Sequence, residues 1–428
     1  MSLSTNTPPG YFLLQLVPTI FSTTQLLQRL KLFRLKKPIH KQHTMSNTQT
    51  YFPQTPVHPG ISLAEDLKFL SLSVSEAAER TGVSQKHLSN ILNGKASITP
   101  EMALKLEKLT GTEAIFWNNL TRNYHASLAA IEEKKQILHE LPKVESFRGV
   151  YRELTNKGII APKLTWTDKN KEGIVRNLLH FFSVNSLDYV ADVYMKPAAA
   201  FRKYDQKVDQ RSIAAIIRLG ERKAQSVATE PFNKQALKAS LPEIKSYSNL
   251  EPKEYLPLLD EKLRTLGIVL VRVPGFAHTG LQGAAKWLDS DKAMIIIKSA
   301  GQEEGKTITE DKFWFNLFHE IGHLLLHSKG EGFVDLEDAT DSPVEVEANK
   351  FASKHLMPGF TLFDLNQYKK DGVIRAELAI PGLAKRFSIA PGIVAGMMSY
   401  EYQDKQGNIY KVLDSYKRRI SDTNYQIS

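Results

Sequence analysis

The run Phe318-His319-Glu320-Ile321-Gly322-His323-Leu324 places two imidazoles four residues apart with a carboxylate between them. On a helix of 3.6 residues per turn, His319 and His323 project from one face and can grip a single cation. Glu320 then sits beside them, near a water held by that cation. The chemistry this suits is metal-dependent hydrolysis. The ion lowers the pKa of its water and polarises a peptide carbonyl, while Glu320 takes the proton as general base and returns it to the leaving amine. The chain has no cysteine, so thiolate ligands are excluded and the expected ion is Zn2+ held by nitrogen and oxygen.

Zinc needs a third protein ligand and an open position. His327 extends the same helical stripe, but it lies roughly 12 Å along the axis from His319, too far to share an ion with it. Pro343 to Pro358 reads as a helix opened by one proline and stopped before another. Ala348, Phe351, Ala352 and His355 form one stripe on it, with Glu347 at the edge. Glu345 points away from Glu347 by roughly 160°, so only one of the two faces the metal. Glu347 is the expected ligand and Glu345 the alternative.

The elements that must position these groups follow from local signals. Thr309 is placed to cap a helix, Glu310 and Asp311 suit its positive end, and Trp314, Leu317, Phe318, Ile321, Leu324 and Leu325 give it a wide apolar face. A buried helix is expected from about Thr309 to Ser328, ending near Gly330.

A second motif lies upstream. Ser73-Val74-Ser75-Glu76 is a capping box, Thr81-Gly82-Val83 a tight turn, and Ser84 the cap of a second helix ending near Asn93-Gly94. Ala78, Val83, Leu88, Ile91 and Leu92 form the expected shared core of this helix-turn-helix. With the second helix in the major groove, Gln85, Lys86 and Asn90 are positioned for base edges. Ser84, His87, Ser89, Asn93 and Lys95 suit phosphates.

Both motifs resemble known families. Phe313 to His327, Glu347-Ala348-Asn349-Lys350-Phe351-Ala352 and Leu356-Met357-Pro358 resemble the ImmA/IrrE family of bacterial metallopeptidases. The likeness extends to the apolar strands around Leu266–Leu270 and Met294–Ile297 and to the closing segments Ile380–Phe387 and Ile393–Gly396. It implies His319, His323 and Glu347 as zinc ligands, Glu320 as general base, and helix-turn-helix repressors as substrates. Asn349 stands where that family can carry a carboxylate, so no role is assigned to it. His278, His327 and Tyr400 are unranked candidates for oxyanion stabilisation. His58 to Lys95, Ile98-Thr99-Pro100-Glu101 and Phe116-Trp117 resemble the HigA antitoxin branch of the Xre-type repressors. That likeness implies a double-stranded DNA operator, a toxin or repressor protein as partner, and a homodimer in which each subunit reads one half-site.

Composition bounds these readings. The 428 residues, 42% of them apolar, suffice for two or three domains with cores. The net charge of +10 is a weak DNA signal, because residues 1–44 hold six basic side chains and no acid, leaving +4 for the remainder. The expected division is a basic, disordered or non-native extension over 1–50, a helix-turn-helix domain over 51–125, a helical middle region over 126–245 and a metallopeptidase domain over 246–428. Tyr11 to Phe21 is interrupted by Gln15 and Pro18, which argues against a secretory signal, and Met45 is the expected natural start. In the middle, Phe181, Phe182, Tyr189 and Tyr194 read as core, and Arg218 and Arg222, interspersed with acids, as a solvated face. The fold class expected is mainly α with a small α+β part: a five-helix Xre-type domain, a helical middle and a gluzincin-like domain with a small β-sheet. A cytoplasmic protein with no membrane segment is expected. The function expected is a DNA-binding regulator of the antitoxin or repressor type carrying a zinc endopeptidase. The alternative keeps the DNA binding and makes the peptidase-like domain a non-catalytic sensor or binding scaffold.

Overall fold

A computed structural model describes residues 56–195, 209–273, 276, 279–298, 308–328, 333–336, 342–370, 373–401 and 413–420. The extension read over 1–50 lies outside them. The chain divides into two compact units, Met1–Leu128 and Ala129–Ser428.

In the first unit, helices α1 (Pro59–Phe69), α2 (Val74–Thr81), α3 (Gln85–Leu92), α4 (Pro100–Thr110) and the start of α5 (Ala114–Val144) surround one core. Local chemistry sets their ends. Ser73 Oγ accepts from Glu76 N at 3.1 Å and Ser84 Oγ from His87 N at 3.1 Å, while Thr99 caps α4 ahead of Pro100. Only half of the expected capping box forms, because the Glu76 carboxylate turns to Arg80 at 2.5 Å. Gly82 closes α2 at φ 63°, the left-handed conformation that the turn between α2 and α3 requires. Ala78, Leu88 and Ile91 are buried as expected, and Val83 and Leu92 pack against them partly buried. Trp117 of α5 is fully buried in the same core.

The second unit is layered around a four-stranded sheet. Its order is β1 (Ile268–Val273), β3 (Ala293–Lys298), β2 (Leu281–Trp287), β4 (Phe333–Leu336). Strands β1 and β3 are parallel and the other pairings antiparallel. Side chains alternate between its faces. Ile268, Leu270, Ala285, Ile295 and Ile297 enter a core with α10 (Lys234–Ser246), α11 (Pro252–Thr265), α12 (Glu310–Leu326), α14 (Ala376–Phe387) and α15 (Pro391–Glu401). Val269, Val271, Ala284, Met294 and Ile296 enter a second core with α6 (Arg148–Asn156), α7 (Lys171–Phe182), α8 (Tyr189–Met195) and α9 (Gln210–Ser226). Covering both faces explains why β1 and β3 read as continuous apolar runs. Residues 126–245 therefore do not stand apart: α9 buries Ile213, Ile216 and Ile217 against the sheet that begins at residue 268. Phe181, Phe182 and Tyr194 are buried in this layer as expected, but Tyr189, at the start of α8, is exposed. No single helix among the described residues is long and apolar enough to cross a membrane.

Candidate metal centre and nucleic-acid interface

Helix α12 is the spine of the candidate metal centre. It is buried on nearly every side, with Trp314, Leu317, Phe318 and Ile321 fully enclosed, each contributing about 1.5–3 kcal/mol of burial energy. Thr309 occupies the cap position, but its hydroxyl makes no cap bond. Arg418, just before the short strand Arg419–Ile420, fixes that end instead: its carbonyl accepts from Glu310 N at 2.9 Å and its guanidinium clamps the buried Glu310 carboxylate, Nε to Oε2 at 2.6 Å. Burial pushes the Glu310 carboxyl up, against the pull of Arg418. The helix stops at Leu326, two residues short of the expected end.

His319 and His323 bring their Nε2 atoms to 2.9 Å of one another. The third member of the cluster is Glu345, on α13 (Pro343–Leu356), whose Oε2 lies 2.9 Å from His319 Nε2 and 3.5 Å from His323 Nε2. Among the described residues these three form the buried His/Glu group whose ligand atoms fall within 4.8 Å of one another. Glu347, the expected ligand, is not in it. The buried stripe of α13 runs Glu345, Ala348, Ala352, Leu356, which leaves the Glu347 side chain 63% exposed against 5% for Glu345. Glu347 meets His327 instead, Oε2 to Nε2 at 3.3 Å.

The fourth chemical group is Glu320. Its carboxylate is fully buried against β2, where a Cβ built on Gly283 would lie 2.3 Å from Glu320 Oε1. Asn316, one turn earlier, donates to Gln282 O at 3.3 Å and ties the helix to that strand. Of the oxyanion candidates, His327 faces His323 at 3.0 Å, Nδ1 to Nδ1, while His278 and the Tyr400 side chain lie outside the described residues.

In the first unit, α3 presents Ser84, Gln85, Lys86, Asn93 and Lys95 as exposed residues, with His87, Ser89 and Asn90 half-buried on the same helix. Asn93 Nδ2 donates to Ser89 O at 2.9 Å and to Ser89 Oγ at 3.2 Å, which fixes both side chains at the end of the helix.

Comparison with known proteins accords with both halves. Residues 67–117 match the helix-turn-helix family, and residues 306–399 match the IrrE N-terminal-like domain family. The HTH-type transcriptional regulator YddM of Escherichia coli K12 is 37% identical over 75 residues, 18% of this chain and 78% of that protein. The chain belongs to the helix-turn-helix regulators and carries an IrrE-like peptidase domain. Virulence-associated protein A′ of Dichelobacter nodosus is 39% identical to this regulator over 75 residues, 17% of the chain, which spans 65% of that protein's length. Two solved structures overlap it: an addiction module antidote protein of the HigA family from Coxiella burnetii and the Pseudomonas aeruginosa antitoxin HigA with the higBA promoter. The first is 40% identical, covering 20% of this chain and 94% of that one at a TM-score of 0.19. The second is 33% identical, covering 20% and 95% at the same TM-score of 0.19.

The regulator's buried cluster fits a zinc ion on its donor chemistry, two imidazole nitrogens and one carboxylate oxygen converging without a thiolate. Protonation states agree. Burial pushes the Glu345 carboxyl up, but its close contacts with the His319 and His323 rings outweigh it and hold it at about 2, so the group is an anion at neutral pH. Burial pushes the His323 imidazole down, against the pull of Glu345, favouring the neutral ring that ligation needs. Sequence reasoning ranked Glu345 second to Glu347 and left Asn349 without a role. Asn349 Oδ1 lies 2.9 Å from His319 Nδ1, so it can accept that proton and turn Nε2 toward the cluster. The available signal was their spacing: Glu345 and Asn349 are four apart and share a helical face.

Proposed function

We propose that this chain is a sequence-specific DNA-binding regulator of the antitoxin or repressor type whose second unit is a zinc-dependent endopeptidase acting on a repressor or partner protein. The observation that carries the reading is the convergence of His319, His323 and Glu345 beside buried Glu320, on a chain that also has a helix-turn-helix. His319, His323 and Glu345 hold the ion, which when bound supplies Lewis acidity toward a peptide carbonyl and a more acidic water. Asn349 and His327 orient the two rings through their Nδ1 atoms. Glu320 accepts the water proton at its carboxylate and delivers it to the leaving amine nitrogen. The apolar packing around α12 keeps these groups dry, which strengthens their electrostatics.

In the first unit, Gln85 and Asn90 read adenine edges, Lys86 reaches guanine acceptors, and Ser84, His87, Ser89, Asn93 and Lys95 fix the register on phosphates. A homodimer reading two half-sites supplies enough contact for specificity. The relatives' printed names, a HigA antitoxin with its promoter and HTH-type regulators, support the DNA half. The test compares wild type with Glu320→Gln in the native host, mapping new protein amino termini. Fragments that appear only with wild type, from a variant that keeps its zinc, support the peptidase. Identical fragment patterns leave a regulator with a non-catalytic metal domain.

A further inference from the structure

Arg218 and Arg222, read from sequence as part of a solvated face, lie with Arg176 around one cleft of about 690 Å³ in the second unit. Helices α5, α7 and α9 wall it, and Ile137, Leu179 and Val184 give it an apolar floor. It belongs to the layer packed on one face of the sheet, whereas α12 and the metal cluster pack on the other.

Arg218 is fixed in place. Its Nε donates to Phe181 O at 2.9 Å, Nη2 to Ser183 Oγ at 2.6 Å and Nη1 to Glu221 Oε2 at 3.3 Å. Arg222, one turn along α9, lies 5.9 Å from the centroid of the Phe181 ring. Arg176 reaches Glu133 across the mouth, and both side chains are largely exposed. The charges do not balance locally. Glu221 already takes Lys286 Nζ at 2.6 Å as well as Arg218, so Glu133 and Glu221 face three guanidiniums and one ammonium. A guanidinium already held by the protein loses little freedom on meeting an anion, and its planar donors match phosphate and carboxylate oxygens.

We propose that this cleft binds a small organic anion, a phosphate or carboxylate on an apolar ring. The ring lies on Ile137, Leu179 and Val184, and the anionic head takes Arg222, the unused donors of Arg218, and Arg176 in exchange for Glu133. The site is independent of the metal cluster, and its failure leaves the peptidase reading untouched.

Calorimetric titration of the full chain tests it, with phenyl phosphate and benzoate as probes, benzyl alcohol as the neutral control, and sodium chloride matching ionic strength. One anionic probe binds saturably, at least tenfold more weakly in Arg222→Ala, a change at an exposed position that leaves the fold intact. Glu133→Gln, which frees Arg176, tightens binding at least threefold, and whichever probe binds better identifies the head group. The proposal is overturned by absence of saturable binding, by equal binding of benzyl alcohol, or by undiminished affinity in Arg222→Ala, which would put the anion at the metal centre or on another surface.

Discussion

Gly283 and Glu320 are in contact across the interface of β2 and α12: a single carbon added to the glycine would fall 2.3 Å from the carboxylate oxygen. Since Glu320 is fully buried, its carboxylate cannot yield into solvent and must rotate within the core. Gly283→Ala is therefore expected to keep zinc, because the three atoms nearest the added carbon all belong to Glu320, and to lower peptide cleavage at least about tenfold, equivalent to about 1.4 kcal/mol of barrier. Zinc content beside cleavage rate checks this. Full activity in the alanine variant would mean that the position of Glu320 is not what the chemistry needs.

The third ligand is decided by two variants on one helix. Glu345→Gln removes the anion between the imidazoles and is expected to lose zinc during dialysis, while Glu347→Gln retains it, since that carboxylate is exposed and faces His327. Metal analysis after dialysis distinguishes the two, and the reverse outcome would restore the assignment made from sequence.

That assignment shows where sequence ceases to be enough. The H-E-x-x-H stretch was legible because two ligands on one helix need only the 3.6-residue period. Choosing Glu345 over Glu347 required the rotation of α13 about its own axis, and beyond the four-residue spacing of Glu345 and Asn349 that rotation rests on long-range packing such as Phe351 against Gly322, a contact of 3.1 Å to an added Cβ. The stripe drawn through Phe351 and His355 was rotated from the true one by enough to exchange the two glutamates. Caps and turns of α2 and α3 were legible for the opposite reason, since Ser73, Gly82 and Ser84 act within four residues of themselves. The packing of α9 on the sheet and the Arg418 clamp on Glu310 join residues far apart in the chain and left no trace in periodicity.

Asn349 offers a test of ring orientation separate from ligation. Asn349→Ala deprives His319 Nδ1 of its acceptor and is expected to weaken zinc binding about 10- to 100-fold without unfolding the protein. Asn349→Asp supplies an acceptor again and is expected to restore affinity. Competition with a chelator measures both, and an alanine variant as tight as wild type would remove Asn349 from the centre.

Acid sensitivity is expected from Glu140, buried on α5, which accepts from Ser186 Oγ at 2.8 Å, Leu187 N at 2.9 Å and Lys143 Nζ at 2.9 Å. Burial pushes its carboxyl up, but Lys143, Leu187 and Ser186 prevail and hold it below the ordinary 4.5. With the folded value below the unfolded one, its stabilisation is complete above pH 4.5 and is lost as pH falls from there through the folded value. Glu140→Gln is expected to cost about 2 kcal/mol at neutral pH and to flatten that acid limb in urea unfolding of the full chain. An unchanged acid limb would assign the loss to other carboxylates.

On the helix proposed to face DNA, base reading and phosphate holding can be tested separately. Gln85 is exposed near the amino end of α3 and Asn90 lies half-buried one face away from Leu88 and Ile91, so neither supports the core. Alanine at either position is expected to cost about 1–3 kcal/mol on the selected operator and to relax preference at one base pair. Lys95→Ala, by contrast, is expected to weaken specific and non-specific duplexes alike and to shallow the dependence on salt. Duplexes selected from a random pool supply the operator, and titrations at several salt concentrations supply the slopes. Equal losses on every duplex for Gln85→Ala and Asn90→Ala would show that α3 only grips the backbone, and sequence reading would have to come from another element.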